Sequence, residues 1–418
     1  MMMLDRRRFL GRCLGSAVIM GGSRIARAAA SANAPGRLAF RLKETAGLRR
    51  FGYPAQAVLP THGRDEGVRY RLLHQGKEVP AQFRAVGSDQ REVVLAFNAS
   101  PGPFEAADYA VEFGPTVTPA AEPKQGLGSD RVAGSFQVRN GSHLIYSMPE
   151  DLAGLFSSIR NQNAEYLTPD SRGLFLTGRN NSGATTLRFP GQGGDGAAEW
   201  RWRGPLSVGL RFTGTVDAPG GKPLRTTVDL TFVNSKSWIE TSWTVDDPDD
   251  RVGSMGFDLS LLIQGGPALV DCGASSTVYS HLRSGESLAF EGRPAARVGG
   301  TAPRWLIEQG GASGLKPYAT WSPGDRAAEG WVHVMDSARC SAIAVADFAR
   351  SGPDRFTIEA AGRVGLEREF PAPAALDPPR TSKTLKFWLH VVPTPVQVGA
   401  VTSPQAMLAP LAVDWTDS

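Results

Sequence analysis

Alternation of apolar and polar residues over four successive segments is the feature that most restricts the fold of this chain. In the first segment the apolar positions are Val208, Leu210 and Phe212. Side chains of a β-strand point alternately to its two faces, so this period of two predicts strands with one buried face. After short turns the same period returns at Val228, Leu230, Phe232, Ile239, Trp243, Val245, Met255, Phe257 and Leu259. Such strands joined by short turns predict an antiparallel meander within a large β-sandwich.

Glycine and proline support a chain of many short strands. The 48 glycines and 30 prolines are nearly a fifth of the 418 residues, a share typical of strands joined by frequent turns. Short apolar runs separated by these residues fill 37–116 with the spacing of a small barrel. We therefore predict an all-β chain with few short helices, the candidates being Glu150–Arg160 and Ser403–Ala409. The predicted parts are a small N-terminal β-barrel at 37–116, a linker at 117–129, a large antiparallel β-sandwich at 130–400 and a C-terminal tail at 401–418.

Residues 1–34 have the features of a twin-arginine export signal. Residues 5–10 read Asp-Arg-Arg-Arg-Phe-Leu, a short apolar stretch follows at 13–20, and small residues fill 28–34. Paired arginines before a weakly hydrophobic stretch and a small-residue cleavage zone are typical of this signal. We therefore predict a periplasmic or secreted protein exported by the twin-arginine pathway. A disordered basic N-terminus is the alternative.

The positive charge of the chain belongs to this leader. The whole sequence has 45 Lys and Arg against 41 Asp and Glu, but residues 1–30 contain six arginines and one aspartate, which leaves 39 basic and 40 acidic residues. A near-neutral body without a basic run excludes a nucleic-acid partner. No later segment is apolar over the ~20 residues that a spanning helix needs. After removal of the signal we expect no membrane insertion, and the oligomeric state is left open.

Cysteines and acidic residues give no sign of a metal or cofactor. Cys272 and Cys340 remain once Cys13 leaves with the leader; an oxidising compartment permits a disulfide, and their apolar surroundings equally permit two buried thiols. The spacing fits no zinc site, and no nucleotide-binding or phosphate-binding motif occurs. The acidic turn Asp246–Asp250 has oxygen ligands for calcium but not the ordered spacing of a calcium loop. We therefore predict no cofactor and no metal, with a solvated turn at 246–250.

Several short motifs of the first block occur in a characteristic order. They read Gly-Leu-Arg-Arg-Phe-Gly-Tyr-Pro at 47–54, Ala-Val-Leu-Pro at 57–60, Gly-Lys-Glu-Val-Pro-Ala-Gln-Phe at 76–83, Val-Val-Leu-Ala-Phe at 93–97 and Asp-Tyr-Ala-Val at 108–111. This order resembles the N-terminal barrel of the exo-rhamnogalacturonan lyase/YetA-like family. The block at 130–395 is similar to that family's central β-sandwich, which is galactose-mutarotase-like, and residues 403–418 resemble the segment before its α/α toroid. The sequence ends before a counterpart of the toroid, and no catalytic residue transfers by motif.

The resemblance implies a carbohydrate ligand, and one polar cluster has the residue types that a polysaccharide lyase uses. Eliminative cleavage of a uronate needs a base near the C5 proton and a cation beside the carboxylate. His143, Tyr146, Arg160, Asn161 and Tyr166 have these types within a short stretch. We take the first two and Arg160 and Tyr166 as catalytic candidates and Asn161 as a substrate-binding candidate. A surface strand with a polar loop is the alternative.

Aromatic and basic residues supply the remaining candidates for sugar binding. Trp200 and Trp202 are predicted to share one strand face, with Arg201 and Arg203 on the other. Indole faces suit the apolar face of a sugar ring, and guanidinium groups suit a carboxylate. Tyr279 and His281 are predicted to share a face of another strand, where a half-buried histidine is the alternative. For the tryptophans the alternative is packing in the core.

We therefore predict an exported protein that recognises a polysaccharide or oligosaccharide, in which acidic sugars suit the scattered arginines. The first alternative is an active polysaccharide lyase that cleaves a uronate-containing polymer by β-elimination. The second is a non-catalytic structural or assembly module that has the fold without a sugar site.

Overall fold

A computed structural model gives the fold of the chain. It describes residues 35–60, 67–86, 92–179, 184–189, 196–218, 221–264, 268–294, 304–320, 326–350, 352–372, 381–393 and 403–416. The leader at 1–34 lies outside the described residues.

Thirty strands and one short helix make up the regular structure of these residues. The first strands are β1 (Gly36–Lys43), β2 (Tyr53–Val58), β3 (Arg69–His74), β4 (Lys77–Val79), β5 (Ala81–Val86), β6 (Glu92–Ala99), β7 (Ala106–Gly114), β8 (Leu127–Val132), β9 (Ser135–Asn140), β10 (Leu144–Pro149), β11 (Ser158–Asn161) and β12 (Ala164–Glu165). Next come β13 (Gly173–Gly178), β14 (Ala184–Thr186), β15 (Ala197–Trp202), β16 (Ser207–Val216), β17 (Leu224–Val233), β18 (Trp238–Asp246), β19 (Val252–Ser260), β20 (Ala268–Gly273), β21 (Thr277–Leu282) and β22 (Ser287–Gly292). The last are β23 (Trp305–Gly311), β24 (Gly314–Thr320), β25 (Trp331–Met335), β26 (Arg339–Val345), β27 (Asp354–Glu359), β28 (Arg363–Glu369), β29 (Ser382–Pro393), α1 (Gln405–Leu408) and β30 (Ala412–Thr416).

Two antiparallel sheets form what we call the N-terminal unit. Their strand orders are β30-β1-β7-β3-β4 and β2-β6-β5, and Phe40, Leu72 and Leu95 are buried in its core. Strand β30 pairs with β1, so that Phe40 lies opposite Trp415. Residues 412–416, which the sequence analysis placed in a C-terminal tail, therefore form an edge strand of this unit.

Three further antiparallel sheets form the sandwich. Their orders are β15-β16-β17-β18-β29-β26-β25-β20-β21, β14-β13-β19-β28-β27-β22-β23-β24 and β12-β11-β10-β9-β8. The alternating apolar residues of the nine-stranded and eight-stranded sheets meet in one core, where the Phe257 and Phe387 rings lie 4.3 Å apart between centroids. The predicted all-β class is confirmed by these sheets, as is an antiparallel meander of the three strands β16–β18. The prediction is wrong for the fourth segment, β19, which belongs to the eight-stranded sheet and pairs there with β13 and β28.

The helix predictions are only partly correct. The segment Ser403–Ala409 contains α1, but Glu150–Arg160 forms turns that lead into β11. In that segment Leu152 and Leu155 have φ angles of 55° and 68°, which are outside the helical range. Both leucines are buried in the sandwich core. Turns, and not a helix, therefore direct these side chains into the core. No helix within the described ranges has the length and hydropathy of a membrane span.

The N-terminal unit lies on the nine-stranded sheet. We call the face of that sheet directed away from the sandwich core its outer face. There, Trp238, Trp331 and Ala342 belong to the same hydrophobic cluster as the core of the N-terminal unit. Met407 of α1 is buried in this cluster as well. The segment that carries α1 therefore lies between the two parts of the chain.

Candidate functional site

The five residues proposed for β-elimination do not meet in one cleft. Tyr146 and Tyr166 are each 1% exposed and belong to the sandwich core, where Tyr146 packs on Phe232. His143 and Arg160 are exposed, and Asn161 is half-buried. Burial raises the pKa of both tyrosines, so that their phenols stay protonated at neutral pH. The two phenols are thus withdrawn from solvent on the core side of the strands, whereas His143 and Arg160 face solvent.

A β-bulge changes the predicted arrangement of the tryptophan pair. Trp200 lies opposite Leu210, a core residue, but the register shifts before Trp202, which lies opposite Gly209. The two indoles therefore face opposite sides of the sheet, because the bulge adds one residue to the alternation. Trp200 contacts Phe136 on the core side. Trp202 faces the outer side, and the prediction of a shared face is wrong.

The arginines next to these tryptophans are exposed, as are the candidates on β21. Arg203 lies over the Trp200 ring, 4.9 Å from its centroid. Tyr279 is 66% exposed and lies on the same face of β21 as His281, which is also exposed. Strands β15 and β21 are the two opposite edges of the nine-stranded sheet. The predicted tryptophan and tyrosine candidates therefore do not share a site.

A crevice of about 540 Å³ lies where the N-terminal unit meets the outer face of the nine-stranded sheet. Its walls come from β2 and β5, from β15–β18 and β29, and from the segment around α1. Three indoles line it, those of Trp202, Trp238 and Trp388. The concave shape, together with aromatic and charged side chains, is typical of a small-molecule or oligosaccharide site.

Arg84 is the most unusual charge in this crevice. Its guanidinium carbon lies 3.8 Å from the centroid of the Trp202 ring, and its Nε is buried without a hydrogen-bond partner. It forms no ion pair with any residue in the described ranges. Burial lowers the pKa of Arg84, and the charge of nearby Arg201 lowers it further. A bound anion would offset both effects, since an opposite charge favours the charged form of the guanidinium.

The other charges of the crevice are paired across neighbouring strands. Arg211 donates two hydrogen bonds of 2.6 Å to Asp229, directly opposite it on β17. Lys386 lies 2.8 Å from Glu240, which also accepts a hydrogen bond of 3.1 Å from Trp388 Nε1. Among the described residues, the lining therefore holds three cations and two carboxylates, a formal net charge of +1. That unpaired charge is the charge of Arg84.

The wall formed by β2 is anchored by a buried ion pair. Arg50 donates to Glu44 Oε1 at 2.8 Å and to the carbonyl oxygens of Ala406 and Ala409 at 3.1 and 2.8 Å. Its guanidinium also lies over the ring of Tyr53, which lines the crevice. Burial raises the pKa of Tyr53 to about 12, with Arg50 lowering it and Glu240 raising it. These contacts fix the segment around α1 against the N-terminal unit.

Neither the cysteines nor the acidic turn provides a metal centre. Cys272 and Cys340 are free, buried thiols, which decides between the two alternatives left open by the sequence. At the turn, Asp247 is fully buried and accepts hydrogen bonds from Val252 N and from Lys383 Nζ. Asp250 is paired with Arg179 and Lys383. Within the described ranges no group of three or more His, Cys, Asp or Glu side chains is arranged to hold a metal ion.

Arg84, Arg211 and Trp388 of the crevice are not among the residues predicted from the sequence. Arg211 and Trp388 lie on strands of the nine-stranded sheet, at positions facing away from the sandwich core, whereas Arg84 lies on β5 of the N-terminal unit. A charged residue among outward-facing positions is ordinary for a half-solvated sheet. The outward face of β16–β18 and β29 was therefore identifiable, but the covering of that face by the N-terminal unit was not.

Comparisons with known proteins concern the fold alone. No protein-family model and no curated protein matches the sequence. A protein of glycosyl hydrolase family 38 from Enterococcus faecalis is similar with a TM-score of 0.58 and 10% identity, over 91% of this chain and 47% of that one. An α-mannosidase from Enterococcus faecalis V583 gives a TM-score of 0.56 at 10% identity, over 91% and 46%. This chain therefore spans about half the length of each, and its all-β architecture also occurs in these two proteins.

Proposed function

We propose that this protein binds carbohydrate in the crevice and that the sugar it prefers carries a carboxylate. The observation that carries the proposal is Arg84, a partly buried guanidinium held against Trp202 without an anionic partner among the described residues. Guanidinium and carboxylate groups form short, strong hydrogen bonds of two parallel contacts. A uronate carboxylate at Arg84 would therefore pair with this charge.

The rest of the crevice suits the hydroxyl groups and ring faces of a sugar. The paired side chains Arg211–Asp229 and Lys386–Glu240 offer both donors and acceptors in fixed positions. Trp388 adds an apolar ring edge. The fold similarity to a family 38 glycosyl hydrolase and an α-mannosidase agrees with a carbohydrate ligand. At a finer level, we propose a relationship to the exo-rhamnogalacturonan lyase/YetA-like proteins, supported by the motifs at 47–111 that resemble their N-terminal barrel.

The test is a binding titration with acidic and neutral polymers. Tryptophan fluorescence of the wild type is followed with polygalacturonate, alginate and a neutral dextran, at low and at high salt. We expect binding of an acidic polymer that weakens with salt. Since hydrogen bonds to charged groups contribute about 1.5–3 kcal/mol, Arg84→Ala should weaken it about 10- to 100-fold.

The matched control is Arg225→Ala, which removes an exposed arginine from β17 of the same sheet. It should bind as the wild type does. Equal binding by Arg84→Ala and the wild type would contradict the proposal, as would a preference for dextran over both acidic polymers.

We expect binding without cleavage. Among the described residues that line the crevice there is no histidine, and the one tyrosine, Tyr53, has its pKa raised to about 12. Tyr53 stays protonated near neutral pH and is therefore not a ready base for abstraction of a C5 proton. Incubation with pectic, alginate and glycosaminoglycan polymers should therefore give no rise in unsaturated-uronate absorbance. A rise that Arg84→Ala abolishes would establish the lyase alternative at this crevice.

We also propose that the protein acts outside the cytoplasm after export by the twin-arginine pathway. The support is the arginine-rich leader, residues 1–34, and the near-neutral body behind it. Replacement of Arg6, Arg7 and Arg8 by lysine should retain the protein in the cytoplasm, as followed by fractionation and immunoblotting. Unchanged export of that variant would contradict the proposal.

A further inference from the structure

A second concavity lies on the eight-stranded sheet, on the face directed away from the sandwich core. Its volume is about 240 Å³, and strands β13, β19, β27 and β28 contribute its lining. We call it the pit. The crevice is on the outer face of the other large sheet, so the two lie on opposite sides of the sandwich. Typical ligand pockets have volumes of about 300–1,000 Å³, and a smaller one suits a single ring.

The floor of the pit is formed at Gly365, which has no side chain to fill the space. Gly365 lies in register between Asp258 of β19 and Thr357 of β27. A Cβ atom placed on Gly365 would meet only the carbonyl oxygen of Phe257, at 3.5 Å, within a 4 Å radius. No other atom of the described residues lies within that radius, in contrast to neighbouring Gly256, which the ring of Phe175 covers.

A carboxylate at the side of the pit has an unused oxygen. Asp258 is 8% exposed, and its Oδ2 accepts hydrogen bonds of 2.8 and 2.5 Å from Nε and Nη2 of Arg363. Its Oδ1 is buried and accepts no hydrogen bond within the part of the chain that the structure describes. A buried acceptor without a donor costs about 1–3 kcal/mol or more when charged. A small rotation of the Asp258 side chain towards the pit would let a ligand hydroxyl group supply that donor.

The charges of the pit cancel. Its charged lining among the described residues consists of three arginines and three carboxylates, namely Arg172, Arg355, Arg363, Asp258, Glu359 and Glu367. Arg363 is bound to Asp258, and Arg355 to Glu291 outside the lining. The ring of Phe175, with Arg172 at 4.5 Å from its centroid, adds an apolar edge. In contrast to the crevice, the described part of this lining has no excess charge to attract a uronate.

We propose that the pit binds one ring of a neutral sugar or a similar neutral polyol. Asp258 Oδ1 accepts a hydrogen bond from a ligand hydroxyl, the hydroxyl of Thr357 and the paired arginines offer further contacts, and the ring lies over Gly365 beside Phe175. The site is separate from the proposed crevice in position and in the charge of its ligand. A polymer with both neutral and acidic residues has groups suited to each site.

Binding of free neutral monosaccharides to the full chain tests this site. D-glucose, D-galactose and D-mannose are used as probes in saturation-transfer difference NMR. Gly365→Ala places a methyl group on the floor of the pit without a clash, so we expect an unchanged melting temperature and at least about fivefold weaker binding. Asp258→Asn removes the charged acceptor and should weaken binding about tenfold or more.

Two controls separate the pit from the rest of the surface. Glu369→Gln changes an exposed residue of the same strand, β28, outside the lining, and should bind as the wild type does. Arg225→Ala changes an exposed residue of the nine-stranded sheet, outside the lining of both cavities, and should also bind as the wild type does. The proposal is overturned if none of the three sugars binds at high concentration, if Gly365→Ala binds as tightly as the wild type, or if Arg225→Ala is the variant that loses binding.

Discussion

Arg84 lies over the indole of Trp202, and the opposite face of that indole lies against Gly209. The guanidinium carbon is 3.8 Å from the ring centroid, and a Cβ atom on Gly209 would come within 2.5 Å of the ring. Trp202 Nε1 donates a hydrogen bond of 3.0 Å to Ser207. Both ring faces are thus occupied by the protein. Trp202 positions the arginine and is not itself a stacking surface for a sugar ring.

Trp202→Leu should weaken binding of an acidic polymer without unfolding the protein. The indole is half-buried at an edge strand, and its loss removes a cation–π contact of about 1 kcal/mol, roughly fivefold in affinity. Fluorescence anisotropy with a labelled oligogalacturonate measures the effect. Gly209→Ala is an independent check, because its methyl group must displace the indole. Wild-type affinity in both variants would mean that Arg84 needs no support from Trp202.

Stability should fall in acid because of Glu44. Burial alone raises its pKa, but hydrogen bonds from Arg50 and from the backbone N–H groups of Phe104, Ala46 and Leu48 outweigh it and lower the pKa to about 2. The native state therefore resists protonation that the unfolded chain accepts near pH 4.5. This stabilisation is present above pH 4.5 and is lost as the pH falls towards 2. Within that window the free energy of unfolding should fall by about 1.4 kcal/mol per pH unit. Urea unfolding of Glu44→Gln should show a flatter profile there.

His390 should impose a second, higher window of pH dependence. Burial first, and then the charges of Lys236 and His333, lower its pKa to about 3 against a hydrogen bond with Ser237 that raises it. The unfolded chain takes up this proton near pH 6.5 and the native state does not. Stability should therefore decline as the pH falls from 6.5 towards 3. In His390→Gln the slope of the free energy of unfolding against pH, between pH 6.5 and 4.5, should shrink by up to about 1.4 kcal/mol per pH unit. An unchanged slope would show that the native imidazole is protonated.

The two free cysteines should be unreactive until the protein unfolds. Both are buried, and burial followed by the charge of Asp271 raises the pKa of Cys340 to about 12 and that of Cys272 further. Since the thiolate is the reactive form, neither should react with an aromatic disulfide reagent at pH 8. The measurement uses a chain with Cys13 replaced by serine. Two thiols should appear in denaturant without reductant, whereas none would appear if a disulfide joined them.

The strands of the sandwich were predictable because their signal is local. Val208, Leu210 and Phe212 face the core at every second position of β16, as the period of two requires. The same reasoning failed at Trp200 and Trp202, because a bulge leaves no mark in the order of residue types. It failed at Tyr146 and Tyr166 for another reason. A phenol has a polar atom, which suggested chemistry, yet most of its surface is apolar and packs in the core.

The candidate site itself was beyond local reasoning. Arg84 and Trp202 belong to different sheets and meet only because the N-terminal unit lies on the outer face of the nine-stranded sheet. Nothing in the residues around Arg84 indicates that contact. Whether its charge is paired depends on which carboxylates the fold brings near. The two carboxylates of the crevice, Asp229 and Glu240, form ion pairs with Arg211 and Lys386.

The pairing of β30 with β1 fixes the order in which a growing chain can finish folding. Thr416 donates a hydrogen bond to the carbonyl oxygen of Ala39, 377 residues earlier in the sequence. During translation, β1 therefore emerges from the ribosome long before its edge partner, and every sandwich strand is made in between. A folded sandwich brings the two segments together and lowers the entropy cost of closing so long a loop. Until then the edge of β1 is open to other chains, so slow sandwich folding should appear first as aggregation of nascent protein.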